Sequence, residues 1–154
     1  MSSAAEQLAA LGLTLPPVTA PGGAYVPAVR TGSYVYVSGQ LPVVDGKLPA
    51  TGKVGDAVSA QDAAGMARTC ALNAVAAAAD AAGGLDAIVR IVKVLGFVAS
   101  APGFNGQPQV VNGASELLIE VFGEAGRHAR SAVGVAELPL DAPVEVELIA
   151  EVRA

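Results

Sequence analysis

The pattern of apolar and polar positions begins with a short stretch at helical spacing. Ser3 and Glu6 stand as in a capping box, and Leu8 and Leu11 follow them. We therefore predict a short N-terminal helix, and we expect the pair Pro16-Pro17 to end it, because proline does not continue a helix.

The pattern then changes to the alternation that is typical of β-strands. Residues 25–30 and 34–38 are rich in β-branched and aromatic side chains, and Thr31-Gly32 separates them, so this segment predicts a β-hairpin. Further on, Asp45-Gly46 predicts a tight turn, because glycine adopts a positive φ without steric cost.

Helical spacing returns between residues that favour helix ends. Ser59 can cap the first turn, small apolar residues recur at helical spacing from Ala63 to Ala78, and Gly83-Gly84 follows. The segment 88–98 is then almost continuously apolar. It predicts a central strand with one face under a helix and the other at an interface.

The last third of the chain predicts a loop, a helix and two strands. The loop covers residues 101–108 and the helix about 110–122, and the strands 130–138 and 144–152 are expected to pair as a hairpin around Leu140-Asp141. The order of elements predicts an α+β fold, a two-layer sandwich in which a mixed β-sheet carries two main helices on one face.

Composition adds a prediction about assembly. The chain has 154 residues, so it fits one domain over 1–154, with 1–20 as a helical extension and 21–154 as the core. Apolar residues make up 53% of it and charged residues only 15%. We therefore expect part of the apolar surface to be buried between copies of the chain.

Charge and hydropathy limit the expected partners and location. The formal charge of −5 opposes nucleic-acid binding, because that binding depends on Lys and Arg neutralising phosphates. No stretch approaches the ~18–20 strongly apolar residues of a spanning helix, and the N-terminus lacks the basic start and apolar run of a secretory signal. We expect no nucleic-acid partner, no membrane partner and a cytoplasmic location.

Few side chains are available for metal binding or nucleophilic catalysis. His128 is the only histidine and Cys70 the only cysteine, so no metal site built from these residues is expected. Cys70 is predicted to be a small core residue, and His128, beside Arg127, is predicted to be exposed. No phosphate-binding loop or dinucleotide-binding glycine motif occurs, so no nucleotide cofactor is expected.

The first hairpin, the second core helix and the C-terminal strands carry the most specific motifs. In chain order these are Ala24-Tyr25-Val26, Ser38-Gly39-Gln40-Leu41-Pro42, Val111-Asn112, Ala129-Arg130-Ser131, Leu138-Pro139 and Glu145-Val146-Glu147. Over about residues 21–154, the chain resembles the Rid (YjgF) family in these motifs and in their order.

The resemblance implies a chorismate-mutase-like fold and a homotrimer with clefts between its subunits. It implies that 2-imino or enamine acids of the 2-aminoacrylate type are hydrolysed there to 2-keto acids and ammonia, without a cofactor or metal. It also implies that Arg130 binds the substrate carboxylate and that Glu145 positions or activates water. The residues that it places along the substrate pocket are Tyr25, Ser38, Gly39, Asn112 and Ala132.

Physical arguments support the two catalytic residues independently. The planar fork of Arg130 can meet a carboxylate in two parallel hydrogen bonds, and the carboxylate of Glu145 can orient a water molecule and accept its proton. In the expected C-terminal hairpin, the two residues of one chain would lie about 20 Å apart. Our hypothesis is therefore that each cleft takes them from different subunits.

Two alternatives remain open. A non-catalytic module that binds a small carboxylate would need Arg130 but not Glu145. A ribonuclease is opposed by the negative charge and by the few aromatic residues.

The chain also departs from compact family members by its N-terminal extension, by the loop 101–108 and by Ala132, which stands where many members carry cysteine.

Overall fold

Three helices and five strands make up the regular structure of the computed structural model, which describes residues 2–154. The helices are α1 (Ala4–Ala10), α2 (Ala60–Ala82) and α3 (Gln107–Phe122). The strands are β1 (Ala28–Thr31), β2 (Tyr34–Gln40), β3 (Ile88–Ala99), β4 (Ala129–Val135) and β5 (Val144–Val152). Short 3-10 turns occupy Leu85–Ala87, Gly123–Gly126 and Pro139–Asp141.

The strands form one mixed sheet in the order β1-β2-β5-β3-β4. Three neighbouring pairs are antiparallel, and β3 with β4 is parallel because α3 crosses over between them. Helices α2 and α3 pack against each other and cover one face of the sheet. The predicted α+β sandwich, with two main helices on one face of a mixed sheet, is therefore confirmed.

The predicted hairpin between the last two strands is wrong. Strand β4 lies at the edge of the sheet on one side of β3, whereas β5 lies between β3 and β2. The chain must cross the end of β3 to pass from one side to the other. The crossing runs through a 3-10 turn in which Leu140 and Asp141 have φ values of 59° and 58°.

Two predicted helix boundaries also shift. Helix α1 ends at Ala10 rather than at Pro16-Pro17, because Gly12 takes a positive φ of 73° just after it. Helix α3 begins at Gln107, earlier than expected, since Pro108 fits a first turn in which backbone N–H groups have no helical partner.

The other local predictions are confirmed. The capping box of Ser3 and Glu6 is formed, as is the hairpin of β1 and β2. Ser59 caps α2 through the backbone N–H of Asp62, and α2 ends at Gly83 in a left-handed conformation. The central strand β3 pairs along both its edges.

Two glycines allow α3 to pack closely against its neighbours. A Cβ atom at Gly113 would collide with the carbonyl group of Ala64 in α2, and one at Gly96 of β3 would collide with the side chain of Val111. These close approaches fix the height and rotation of α3 above the sheet. Cys70 is fully buried in this core, as predicted, and burial raises the pKa of its thiol.

The opposite face of the sheet is not covered by any element within residues 2–154. Tyr34 and Tyr36 of β2 and Val133 of β4 are 43%, 47% and 43% exposed there. Among the described helices, none combines the length and the apolar character that crossing a membrane requires.

Candidate active site

Arg130 of β4 is held by one face of α3. Its Nη1 donates to Asn112 Oδ1 at 2.8 Å and to Ser115 Oγ at 3.2 Å, and its Nη2 donates to the carbonyl oxygen of Pro108 at 3.4 Å. The three partners are spaced by four and then three residues, so a straight helix presents them on one face. Helix α3 thus fixes the guanidinium from one side.

No acidic side chain within residues 2–154 forms an ion pair with Arg130. All three of its partners are neutral acceptors, so the positive charge stays uncompensated within the chain. The guanidinium also keeps N–H donors that these bonds do not use. A partly buried, oriented guanidinium with free donors is suited to bind a carboxylate in two parallel hydrogen bonds.

His128 lies behind Ser115 and is half-buried, so the prediction that it is exposed is wrong. Its Nε2 is 2.9 Å from Ser115 Oγ, and its Nδ1 is 2.6 Å from the carbonyl oxygen of Gly126. Burial, and then the charge of Arg130, lower the pKa of the imidazole, although the bond to Gly126 opposes them. We call Arg130, Asn112, Ser115 and His128 the Arg130 cluster.

Glu145 of β5 opens into a cleft of about 420 Å³, which we call the Glu145 cleft. Its walls come from the N-terminal extension, from the segments on both sides of β1 and β2, and from the turn before β5. The lining residues are Thr19, Ala20, Pro21, Gly22, Tyr25, Pro27, Gly39, Gln40, Leu41, Val43, Pro139, Leu140 and Glu145. Among them only Glu145 carries a charge near neutral pH, so the cleft is mostly apolar around one carboxylate.

Gly39 allows the carboxyl group of Glu145 to lie against the backbone of β2. The pairing of β2 with β5 shifts between Val37 and Gln40, where Ser38 and Gly39 form a bulge. A Cβ atom at position 39 would lie 2.8 Å from Cδ and 2.9 Å from Oε1 of Glu145, closer than real Cβ contacts. Glycine is therefore required here for the side chain of Glu145 to approach the backbone of β2 so closely.

The carboxylate of Glu145 makes no hydrogen bond to any other group among residues 2–154. Burial, and then the negative charge of Glu147, raise its pKa above the ordinary glutamate value. It is thus a stronger base than a free glutamate, with its lone pairs open to the cleft. No group of three or more His, Cys, Asp or Glu side chains suited to hold a metal ion occurs in the described part of the chain.

Tyr25 and Ser38 have different positions relative to the cleft. Tyr25 lines it, with an exposed ring whose hydroxyl accepts from the backbone N–H of Gly22 at 3.3 Å. Ser38 does not line it, because its hydroxyl donates to the carbonyl oxygen of Val26 at 2.6 Å. Ser38 therefore ties the entry of the hairpin to β2, and its backbone forms half of the bulge.

The Arg130 cluster and the Glu145 cleft lie on opposite faces of the sheet. Arg130 pairs in register with Val94, which is buried beneath the helices, whereas Glu145 alternates with the buried Val144 and Val146 and points the other way. Strand β3 separates the two, and its partners Val94 and Phe97 are three residues apart. The Cα atoms are therefore about 14 Å apart, from two strand spacings and three residue rises.

The sequence-predicted residues thus form two groups within one chain. Asn112 contacts Arg130, and Ala132 follows on the same face of β4, partly buried against the core. Tyr25 and Gly39 line the cleft with Glu145. A ligand of a few ångströms cannot contact Arg130 and Glu145 of the same chain, because a layer of sheet lies between them.

The family model described as "YjgF/chorismate mutase-like, putative endoribonuclease" matches residues 5–152 of the chain. The chain belongs to this family. The Rid (YjgF) resemblance of the motifs is thereby confirmed, and the match includes most of the N-terminal extension.

Relatives and solved structures of this YjgF family align along nearly the whole chain. The chain is 46% identical to protein TCP17 of Trypanosoma cruzi, over 97% of this chain and 94% of that protein. It is 40% identical to the 2-iminobutanoate/2-iminopropanoate deaminase of Salmonella typhimurium, over 83% of this chain and 87% of that enzyme.

Two solved structures share the fold. The protein Atu1372 of Agrobacterium tumefaciens superimposes with a TM-score of 0.90 at 46% identity, over 97% of this chain and 92% of that chain. Escherichia coli TdcF, solved with bound serine, superimposes with a TM-score of 0.64 at 32% identity, over 91% of this chain and 94% of that chain.

Three residues that support the candidate site were not predicted from the sequence as part of it. Ser115 stands one helical turn beyond Asn112, which is a spacing that could have identified it. His128 gave no such signal. Asn73, buried in α2, donates to the carbonyl oxygens of Leu41 and Val43 at 3.1 Å and so holds a wall of the Glu145 cleft.

Proposed function

We propose that this YjgF-family protein hydrolyses reactive 2-imino and enamine acids of the 2-aminoacrylate type to 2-keto acids and ammonia. The reaction takes place in clefts between the subunits of a homotrimer, where the Arg130 cluster of one subunit faces the Glu145 cleft of another. Each cleft binds a small 2-imino acid and needs no cofactor.

The observation that carries the proposal is the uncompensated guanidinium of Arg130. Its three neutral partners orient it without neutralising it, which leaves a carboxylate as its natural ligand. Two relatives are consistent with this ligand class. The Salmonella typhimurium relative is a deaminase of 2-imino acids, and the structure of TdcF contains serine, an amino acid with a free carboxylate.

Glu145 supplies the second requirement of the reaction. An enamine such as 2-aminoacrylate first becomes the 2-imino acid, by gaining a proton at C3 and losing one from nitrogen. Water then adds to the imine carbon C2 while Glu145 accepts its proton and passes it to the nitrogen, which gives a carbinolamine. The proton of the carbinolamine hydroxyl moves to the nitrogen through Glu145, and ammonia leaves as the C2–N bond breaks and the C2=O bond forms. The raised pKa of Glu145 favours this proton transfer, and the absence of a competing hydrogen bond leaves its oxygens free for water. Hydrolysis of an imine is an easy reaction, so positioning of the reactants supplies most of the catalysis.

The placement of Arg130 and Glu145 on opposite faces of the sheet supports a site shared by two subunits. The uncovered sheet face, with Tyr34, Tyr36 and Val133 about half exposed, offers the apolar surface that an oligomer would bury. The trimer itself is an expectation from the family, and sedimentation of the purified protein tests it.

The experiment that tests the proposal follows ammonia released from enzymatically generated 2-aminoacrylate. We expect wild type to accelerate the release, Arg130→Ala to lose the acceleration, and Arg68→Ala to retain it. Arg68 is a matched control, because Glu120, its ion-pair partner, belongs neither to the Arg130 cluster nor to the Glu145 cleft. Both side chains of this pair are more than a third exposed, so the pair contributes little. All variants are first compared with wild type for oligomeric state. No acceleration by wild type would contradict the proposal.

Glu145→Gln separates catalysis from binding. We expect this variant to bind pyruvate, a 2-keto acid product, as tightly as wild type but to release no ammonia above background, because the amide cannot accept the proton. A protein that binds pyruvate through Arg130 and yet catalyses nothing in either form would be a carboxylate-binding module. RNA cleavage that persists in Arg130→Ala after repeated purification would instead support the ribonuclease named in the family description.

A further inference from the structure

A chain of hydrogen bonds leads from Arg130 to a part of the molecule that the proposed reaction does not use. Arg130 Nη1 donates to Ser115 Oγ at 3.2 Å, Ser115 Oγ lies 2.9 Å from His128 Nε2, and His128 Nδ1 lies 2.6 Å from the carbonyl oxygen of Gly126. Neither Ser115 nor His128 lines the Glu145 cleft. Both are half-buried behind the guanidinium.

The donor and the acceptor of each hydrogen bond in this series follow from the groups at its two ends, Gly126 and Arg130. A carbonyl oxygen only accepts, so the proton of His128 is on Nδ1. Burial and the nearby charge of Arg130 lower the pKa of the imidazole, so near neutral pH its Nε2 is an acceptor. The hydroxyl of Ser115 therefore donates to Nε2, and the lone pairs of its oxygen face Arg130.

We infer that Ser115 and His128 are positioning residues, which hold the guanidinium of Arg130 in the orientation that receives the substrate carboxylate. The identity of this ligand rests on the proposed function. His128 acts on Arg130 indirectly, because it fixes the rotation of the Ser115 hydroxyl. Without it, the hydroxyl is free to rotate and to donate to other acceptors, and Ser115 is then no longer a fixed acceptor for Arg130.

A positioning role affects substrate binding more than the chemical step. The contact between Arg130 and a carboxylate is the same in the ground state and in the transition state, so weakening it raises KM and leaves kcat largely unchanged. Asn112 and the carbonyl of Pro108 still hold the guanidinium when Ser115 is altered. The expected increase in KM is therefore moderate, about tenfold.

The kinetic test compares Ser115→Ala and His128→Phe with wild type. We expect KM to rise about tenfold in both variants, with kcat within about twofold of wild type. His128→Gln is expected to restore most of the wild-type KM, because its amide oxygen can accept from Ser115. Thr69→Ala is the matched control, since Thr69 bonds only to the Gly65 carbonyl of its own helix. Wild-type KM in both Ser115→Ala and His128→Phe would overturn the inference.

A second measurement uses the wild-type protein and does not depend on how the variants fold. His128 is the only histidine of the chain, so its ring nitrogens give unambiguous ¹⁵N NMR signals. We expect the Nδ1–H tautomer in the free protein and a change in these signals on addition of pyruvate, and we expect no change in Arg130→Ala. An Nε2–H tautomer, or signals that saturating pyruvate leaves unmoved, would overturn the inference.

The two measurements also separate this inference from the proposed function. If wild type does not release ammonia but pyruvate still moves the His128 signals through Arg130, the function fails and the positioning role stands. If wild type is active and both variants keep its KM, the positioning role fails and the function stands.

Discussion

The Arg130 cluster and the Glu145 cleft hold their charged side chains in different ways. The guanidinium is held by three hydrogen bonds from the core helix α3, in a surrounding without counter-charge. The carboxylate of Glu145 is held by close packing against Gly39 and makes no hydrogen bond within residues 2–154. In the proposed reaction, one half-site therefore presents an oriented guanidinium to an anion, and the other leaves the carboxylate of Glu145 free to accept a proton from water.

The two half-sites also differ in where their walls come from. The Arg130 cluster is built from α3, β4 and the short segment between them. The Glu145 cleft instead has walls from loops and from the last two residues of the N-terminal extension, Thr19 and Ala20. Because loops vary more readily than packed helices, we expect the carboxylate-binding half to be the common feature of such sites and the cleft to determine the substrate side chain.

Among the variants that keep both Arg130 and Glu145, the largest effect is expected from Gly39→Ala, which tests the packing of the cleft. The added Cβ would lie 2.8 Å from Cδ of Glu145, so the carboxyl group must move. We expect kcat to fall about a hundredfold, because a displacement of about 1 Å is enough for such a loss. Gly65→Ala is the matched control, since nothing lies within 4 Å of a Cβ at that helical position. Wild-type kcat in Gly39→Ala would mean that the position of Glu145 does not limit the reaction.

A smaller effect is expected from Asn112→Asp, which tests the absence of counter-charge around Arg130. The aspartate has the shape of the asparagine but supplies a carboxylate to the guanidinium, and it competes with the substrate for the same positive charge. We expect the Kd for pyruvate, measured by titration calorimetry, to rise at least about tenfold. It should rise more than in Asn112→Ala, which removes one bond without adding a charge. An equal effect in the two variants would show that geometry alone determines binding.

The sequence predicted the elements of these half-sites better than their arrangement. Caps, turns and the hairpin of β1 and β2 depend on neighbouring residues, so Ser59, Gly83 and Asp45-Gly46 were interpreted correctly. The pairing of β4 and β5 depends on contacts that are distant in sequence. An apolar strand pattern does not tell whether the next strand pairs with it or crosses over, and the hairpin prediction failed for that reason.

The prediction of the site residues had a similar limit. The motifs predicted Arg130, Asn112 and Glu145 as site residues, but the resemblance does not show which faces of the sheet they occupy. Arg130 and Glu145 were expected to be far apart along a hairpin of β4 and β5. In the structure they are separated by β3 and lie on opposite faces of the sheet, which leads to the same hypothesis of a site shared by two subunits. The prediction that His128 is exposed failed because Ser115 contacts its ring only when α3 packs on the sheet.

The smallest effect concerns the pH dependence of the Glu145 half. Glu145 must be deprotonated to act as a base, and its pKa is raised by burial and by Glu147, so kcat/KM should increase with pH through a limb above the ordinary glutamate range. In Glu147→Gln this limb should move to lower pH. Glu151→Gln removes a charge farther along the same strand and should leave the pH limb in place. An equal shift of the limb in Glu147→Gln and Glu151→Gln would mean that the net charge of the protein, and not the neighbouring Glu147, causes the shift.

The central claim is that a working site takes Arg130 and Glu145 from different subunits. It is tested most directly by mixing Arg130→Ala and Glu145→Gln subunits, each inactive alone, after unfolding and joint refolding. In a closed ring with one site at each interface, an equal random mixture would restore about one quarter of the wild-type sites, and we predict ammonia release from 2-aminoacrylate at about that fraction. Recovery of no activity, from mixed oligomers verified by mass spectrometry, would place both residues in the same subunit's site and contradict the claim.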